Sequence, residues 1–93
     1  MNDKYKKYLP IGSIVLMNGA KKRVMITGYV VKSPNTGEKI FDYVGCLYPE
    51  GVIDTTKNLV FDHKDIQKIF AIGYSDEEQK IFSKKLDEII SLK

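Results

Sequence analysis

Single glycines and prolines divide this chain, up to Tyr74, into short extended runs, and that punctuation commits it to a small β fold. The seven glycines and three prolines among its 93 residues stand one at a time, at run ends or inside β-branched stretches. There they mark turns and strand bends, not a phosphate-cradling loop. Pro10 stops whatever precedes it, and residues 11–18 read as a first strand with large apolar residues in both alternating rows. Such a strand is central in its sheet or curls into a barrel. Asn18-Gly19 predicts a hairpin. A second strand over residues 23–32 follows, with Gly28 as a bulge or bend. The loop 33–38 leads to a third strand, 40–48. Tyr48-Pro49-Glu50-Gly51 fits a type I turn. Val52-Ile53 predicts the start of a fourth strand, resumed by Leu59-Val60-Phe61 after a polar interruption. Asp62 is placed to cap one helical turn, and residues 66–74 alternate as the last strand.

After Tyr74 the period changes. Ser75 with Glu78 three residues on forms a capping box. The acids at 76–78 and Lys93 suit the two ends of a helix dipole. Ile81, Phe82, Leu86, Ile89 and Ile90 share one face of a helix spanning about 75–92. That face docks on its own sheet or is held for a partner's helix. The expectation is an α+β fold: a small, strongly bent antiparallel sheet, or a partly open SH3-like barrel of about five strands, with a C-terminal amphipathic helix. Residues 1–8 read as a flexible basic arm, and 9–93 as one domain.

A chain this short builds one core and has no material left for a deep internal pocket. Its 43% hydrophobic and 29% charged content belongs to a globular chain, not a disordered one. No apolar run is long enough to span a bilayer, and residues 11–17 are too short for a signal-peptide core. The lone Cys46 cannot form an internal disulfide, so the expected compartment is the cytoplasm. Formal net charge is only +3, with the cations in two small groups, Lys4/Lys6/Lys7 and Lys21/Lys22/Arg23.

Catalytic chemistry finds few carriers here. Nucleophilic catalysis needs a base within hydrogen-bond reach of its nucleophile, but the only histidine, His63, falls in a capped turn and Cys46 in an apolar strand. One His and one Cys fall short of a zinc site. Asp62, Asp65 and Glu50 have the spacing of caps and turns. No catalytic residue, cofactor site or metal site is therefore expected. The tyrosines are better candidates for binding, because they offer broad amphipathic contact at low entropic cost. Tyr29, Tyr43, Tyr48 and Tyr74 lie in or beside strands, with core and interface roles both open.

Read in order, four segments carry a family resemblance: Tyr8-Leu9-Pro10-Ile11-Gly12-Ser13-Ile14-Val15-Leu16, Val24-Met25-Ile26-Thr27-Gly28-Tyr29, the run from Phe41 to Gly51, and Ile72-Gly73-Tyr74 before an acidic helix. Together they resemble the bacterial family labelled domain of unknown function 4176, over about residues 8–86. Members are similar to small proteins encoded in Gram-positive bacteria beside LXG-domain toxins, which leave the cell by type VII secretion. The resemblance implies a non-enzymatic, chaperone-like adaptor. It would bind the toxin's helical N-terminal domain, along with other small helical accessory proteins, and help target the toxin for export. The family brings no catalytic residues. The expected partner surface is Tyr48, Pro49, Glu50 and Gly51, with Tyr29 and Tyr74 as weaker members. Two alternatives use nearby residues: a nucleic-acid-binding small barrel using Lys21, Lys22 and Arg23 with Tyr29, and an immunity protein against a neighbouring toxin. No membrane partner is expected.

Overall fold

The computed structural model describes residues 8–32, 39–56 and 58–91. The basic arm before Tyr8, the loop 33–38 and Lys93 lie outside them. Five strands form one open antiparallel sheet: β1 (Ile14–Met17), β2 (Val24–Lys32), β3 (Ile40–Leu47), β4 (Leu59–Phe61) and β5 (Ile66–Ala71), in the order β4-β3-β2-β1-β5. A 3₁₀ turn (His63–Asp65) joins β4 to β5, and α1 (Glu77–Ser91) follows. The small α+β fold expected from the sequence is present, and β1 is an interior strand, paired with both β2 and β5. Among the described residues, no helix is long and apolar enough to cross a membrane.

Alternation along the strands explains the core. Val15, Val24, Ile26, Tyr43, Phe61 and Ile66 point inward, and Tyr8, Leu9 and Leu86 close over them. Burying each large side chain contributes about 1.5–3 kcal/mol. Tyr8, which the sequence reading left in the arm, is therefore a core residue. Asn18-Gly19 forms the expected turn, with Gly19 at φ 77° and the Ala20 N–H donating to Met17 O at 3.1 Å. Gly28 lies at a break in the β2–β3 register. Two residues on, Val30 has φ 51°, rare for a β-branched residue, so β2 bends twice.

Four boundaries differ from expectation, each for a local reason. The first strand starts at Ile14, not residue 11, because the Ser13 N–H closes a turn onto Pro10 O at 3.1 Å with Gly12 at φ 94°. Val52 and Ile53 are loop, not strand. Asp54 Oδ1 accepts both the Thr56 N–H (2.9 Å) and its hydroxyl (2.6 Å), turning the chain before it can pair. The last strand ends at Ala71, because the Gly73 N–H leaves the ladder for Ser13 Oγ at 3.0 Å. The helix cap is Asp76, not Ser75. Its carboxylate accepts the Gln79 N–H at 2.9 Å, a stronger acceptor than the hydroxyl, which donates to Gln79 Oε1 instead. Asp62 is the N-cap of the 3₁₀ turn, as expected, its N–H donating to Asp65 Oδ2 at 3.0 Å, and its carboxylate also reaches outside the turn: Oδ1 accepts the Asp42 N–H at 3.1 Å, and Asp42 Oδ2 in return accepts the His63 N–H at 2.9 Å.

Helix α1 lies against β2. Leu86 is buried, and Phe82 approaches Tyr29 at a ring separation of 6.1 Å while remaining half exposed, as does Ile81. The side chains of Ile89 and Ile90 lie outside the described residues.

Candidate functional site

Two groups that stand far apart in the sequence meet at one end of the sheet. The β2–β3 register sets Val24 opposite Leu47, so the turn before β2 lies beside the turn after β3. The Tyr48 N–H donates to Arg23 O at 2.9 Å and extends that ladder by one bond. Lys22 Nζ pairs with Glu50 Oε2 at 2.7 Å, and this hydrogen bond draws the exposed Glu50 carboxyl below its usual pKa. The Arg23 guanidinium lies 5.1 Å from the Tyr48 ring centre and 5.3 Å from that of Phe70. Lys68 Nζ lies 4.8 Å from the Phe70 ring centre. Tyr48, Glu50 and Gly51 therefore share one surface with Lys22 and Arg23, and with the neighbouring Pro49 and Lys21, both exposed. Phe70 and Lys68, which the sequence did not single out, join them across the sheet.

The 48–51 turn is one residue wider than the expected type I turn. Gly51 donates its N–H to Leu47 O at 2.8 Å and has φ 80°. On its other side the chain opens a shallow groove of about 650 Å³, lined by Leu47, Gly51, Val52 and Ile53 among others. Ile53 is 76% exposed and Val52 more than half exposed. The turn thus separates a groove with apolar side chains on one edge and Asp54, Thr55 and Asn58 on the other from a cationic cluster.

Tyr29 does not belong to this surface, contrary to expectation. Its hydroxyl donates to Leu9 O at 2.6 Å, and its ring meets Tyr8 and Tyr43 at 5.6 and 6.1 Å. Large apolar neighbours and a buried carbonyl drew this ring inward. Tyr74 is 80% exposed, but it lies in the segment between β5 and α1. Among the described residues it shares no hydrogen bond or ring contact with the Tyr48 turn.

His63 and Cys46 are held by different partners. Cys46 is buried opposite Met25 and touches the groove from beneath. Tyr43 OH lies 2.7 Å from His63 Nδ1 and accepts the Leu9 N–H at 3.1 Å. Among the described residues, no three His, Cys, Asp or Glu side chains group as metal ligands.

Burial lifts the phenols of Tyr8, Tyr29 and Tyr43 above the ordinary value of 10.0, and the Asp42 carboxylate adds to the effect on Tyr8 and Tyr43. A phenol raised in this way keeps its proton through the neutral range and serves as a structural hydrogen-bond donor. The folded chain holds these protons above pH 10, where the unfolded chain releases them. Their contribution is therefore complete below that pH and is lost as pH rises beyond it. In an alkaline titration, the ultraviolet absorbance of these tyrosinates should appear together with the loss of the circular dichroism signal. Full tyrosine ionisation with the fold intact would contradict this assignment.

The family described as "Domain of unknown function (DUF4176)" matches residues 8–82. That span runs from the core residue Tyr8 to Phe82, and both of these rings contact Tyr29. No curated protein and no solved structure matches the chain.

Proposed function

The chain belongs to the DUF4176 family, and from that premise we propose that it is a non-enzymatic binding module. Its role would be that of a cytoplasmic accessory factor that holds an LXG-type toxin of a Gram-positive bacterium for type VII secretion. The observation that carries this reading is the 48–51 turn, set between a groove edged by Leu47, Val52 and Ile53 and the stack of Arg23, Tyr48 and Phe70. Apolar anchors bordered by polar and charged side chains are the composition of a protein interface. The half-exposed Ile81 and Phe82 on α1 offer further apolar area to a helical partner. The polar clusters, by contrast, are occupied in structural roles: Tyr43 and Tyr29 hold the two peptide groups of Leu9, and Asp42 and Asp62 tie β3 to the 3₁₀ turn.

Co-expression with the toxin encoded beside this gene tests the reading. A stable complex that survives purification is expected, together with loss of toxin export when this gene is deleted. Absence of a complex, with export unaffected, would refute it. Binding to the toxin's active half instead of its helical N-terminal domain would favour an immunity role.

A further inference from the structure

We propose that Arg23, stacked on Tyr48 and Phe70, is a carboxylate-recognition site. It would receive an acidic side chain from an amphipathic helix of a protein partner whose apolar row lies in the adjoining groove. The inference rests on the binding-module reading and specifies the partner's chemistry. A guanidinium whose central carbon lies over two rings still has N–H donors to offer a ligand, and a carboxylate matches its fork with two parallel hydrogen bonds. Among the described residues no carboxylate pairs with Arg23: the Glu50 carboxylate is taken by Lys22 at 2.7 Å, and that of Asp62 by Lys39 at 3.3 Å. The rings also restrict the Arg23 side chain before any ligand arrives, which lowers the ordering cost of binding.

Charge favours an acidic partner. Lys21, Lys22, Arg23 and Lys68 gather at this end of the sheet, against Glu50. Asp54, at the groove, is held by the Thr56 N–H and hydroxyl.

The sheet edges favour side-chain docking over strand addition. β4 has only three residues, and the β1–β5 register breaks twice, so neither edge offers an even ladder to an incoming strand. A helix can set apolar side chains on Leu47, Val52 and Ile53 and direct a carboxylate across the 48–51 turn to Arg23. Single-stranded nucleic acid fits less well, because bases need open ring faces and Tyr48 and Phe70 each already carry a cation.

The test is a nuclear magnetic resonance titration of the isotope-labelled protein with a synthetic helical peptide of leucine and glutamate. Parallel titrations use the same peptide with glutamine for glutamate, and an oligothymidylate. Shifts are expected at the Arg23 side-chain N–H and at the backbone amides of 47–53 and 68–70. The glutamine peptide should bind about tenfold more weakly or worse, the loss expected for a charge-assisted bond. R23Q should weaken the glutamate peptide to a similar degree. R23K, which keeps the charge and loses the fork, should also weaken it. Arg23 meets Tyr48 through its backbone carbonyl, so the ladder bond survives these substitutions, and unchanged melting confirms that the variants fold. Equal affinity for the two peptides, no binding of either, or tighter binding of the oligothymidylate would each overturn the proposal. A co-expressed toxin held equally well by R23Q would overturn this site and leave the adaptor reading standing. Glutamate-peptide binding at Arg23 without any toxin complex would support the site and refute the adaptor reading.

Discussion

Replacing Gly73 with alanine is expected to destabilise the fold by about 3 kcal/mol, at the upper end of what overpacking one methyl group costs. A β-carbon at this position would stand 2.1 Å from Ile11 O, 2.9 Å from the Ile11 carbonyl carbon and 3.1 Å from that of Gly12. All three are backbone atoms, so no rotamer change relieves the clash. Two chain segments cross here, the turn leading into β1 and the exit from β5. Parting them would break the bond from the Gly73 N–H to Ser13 Oγ, and Ser13 is fully buried with its hydroxyl already committed to Pro10 O at 2.7 Å. The turn cannot retreat either, since the Gly12 N–H is tied to Ile26 O at 2.8 Å. For a domain of this size, about 3 kcal/mol lowers the melting temperature by roughly 12–24 °C. Gly19→Ala is the control: nothing lies within 4 Å of its β-carbon, and only its φ of 77° opposes the change. Thermal melts in which Gly73→Ala loses no more than Gly19→Ala would contradict the crossing as described.

The second large effect is expected from Tyr43→Phe, at about 2–3 kcal/mol. Ring and packing are kept; one oxygen is lost. That oxygen accepts the Leu9 N–H at 3.1 Å and pairs with His63 Nδ1 at 2.7 Å. Leu9 and Tyr43 are both fully buried, so water cannot replace the lost acceptor, and a buried donor left unsatisfied carries its whole desolvation penalty. Tyr29→Phe removes the donor to Leu9 O and should cost less, since a carbonyl deprived of one partner suffers less than an orphaned N–H. Chemical denaturation gives the free energies, and amide exchange at Leu9 gives the local signature, faster in Tyr43→Phe. A Tyr43→Phe protein as stable as the parent, with Leu9 exchange unchanged, would show that the hydroxyl does not hold this segment.

Local chemistry was readable in the sequence wherever it acts alone. The Asn18-Gly19 turn, the Gly28 irregularity, the three long strand segments and the existence of the C-terminal helix follow from residue types at fixed spacings. Failures came where two acceptable local signals competed. Val52-Ile53 has strand propensity, but the Asp54 turn prevails; Ser75 can cap a helix, but Asp76 is the stronger acceptor. Half of the candidate surface was also readable, since the 48–51 turn and the 21–23 cluster each stand out in the sequence. Their union depends on the β2–β3 register, and the addition of Phe70 depends on β5 closing beside β1, neither of which residue spacing reveals. Tyr29 shows the reverse case. Its type and position suit an interface, but the buried Leu9 carbonyl draws its hydroxyl inward.

The central claim is that the two turns at one end of the sheet form a single surface for a protein partner. Amide hydrogen exchange on the complex purified by co-expression, compared with the protein alone, tests it most directly. Protection is expected over residues 47–53, 21–23 and 68–70 together. Protection confined to α1, or to segments remote from the Arg23–Tyr48–Phe70 stack, would contradict it.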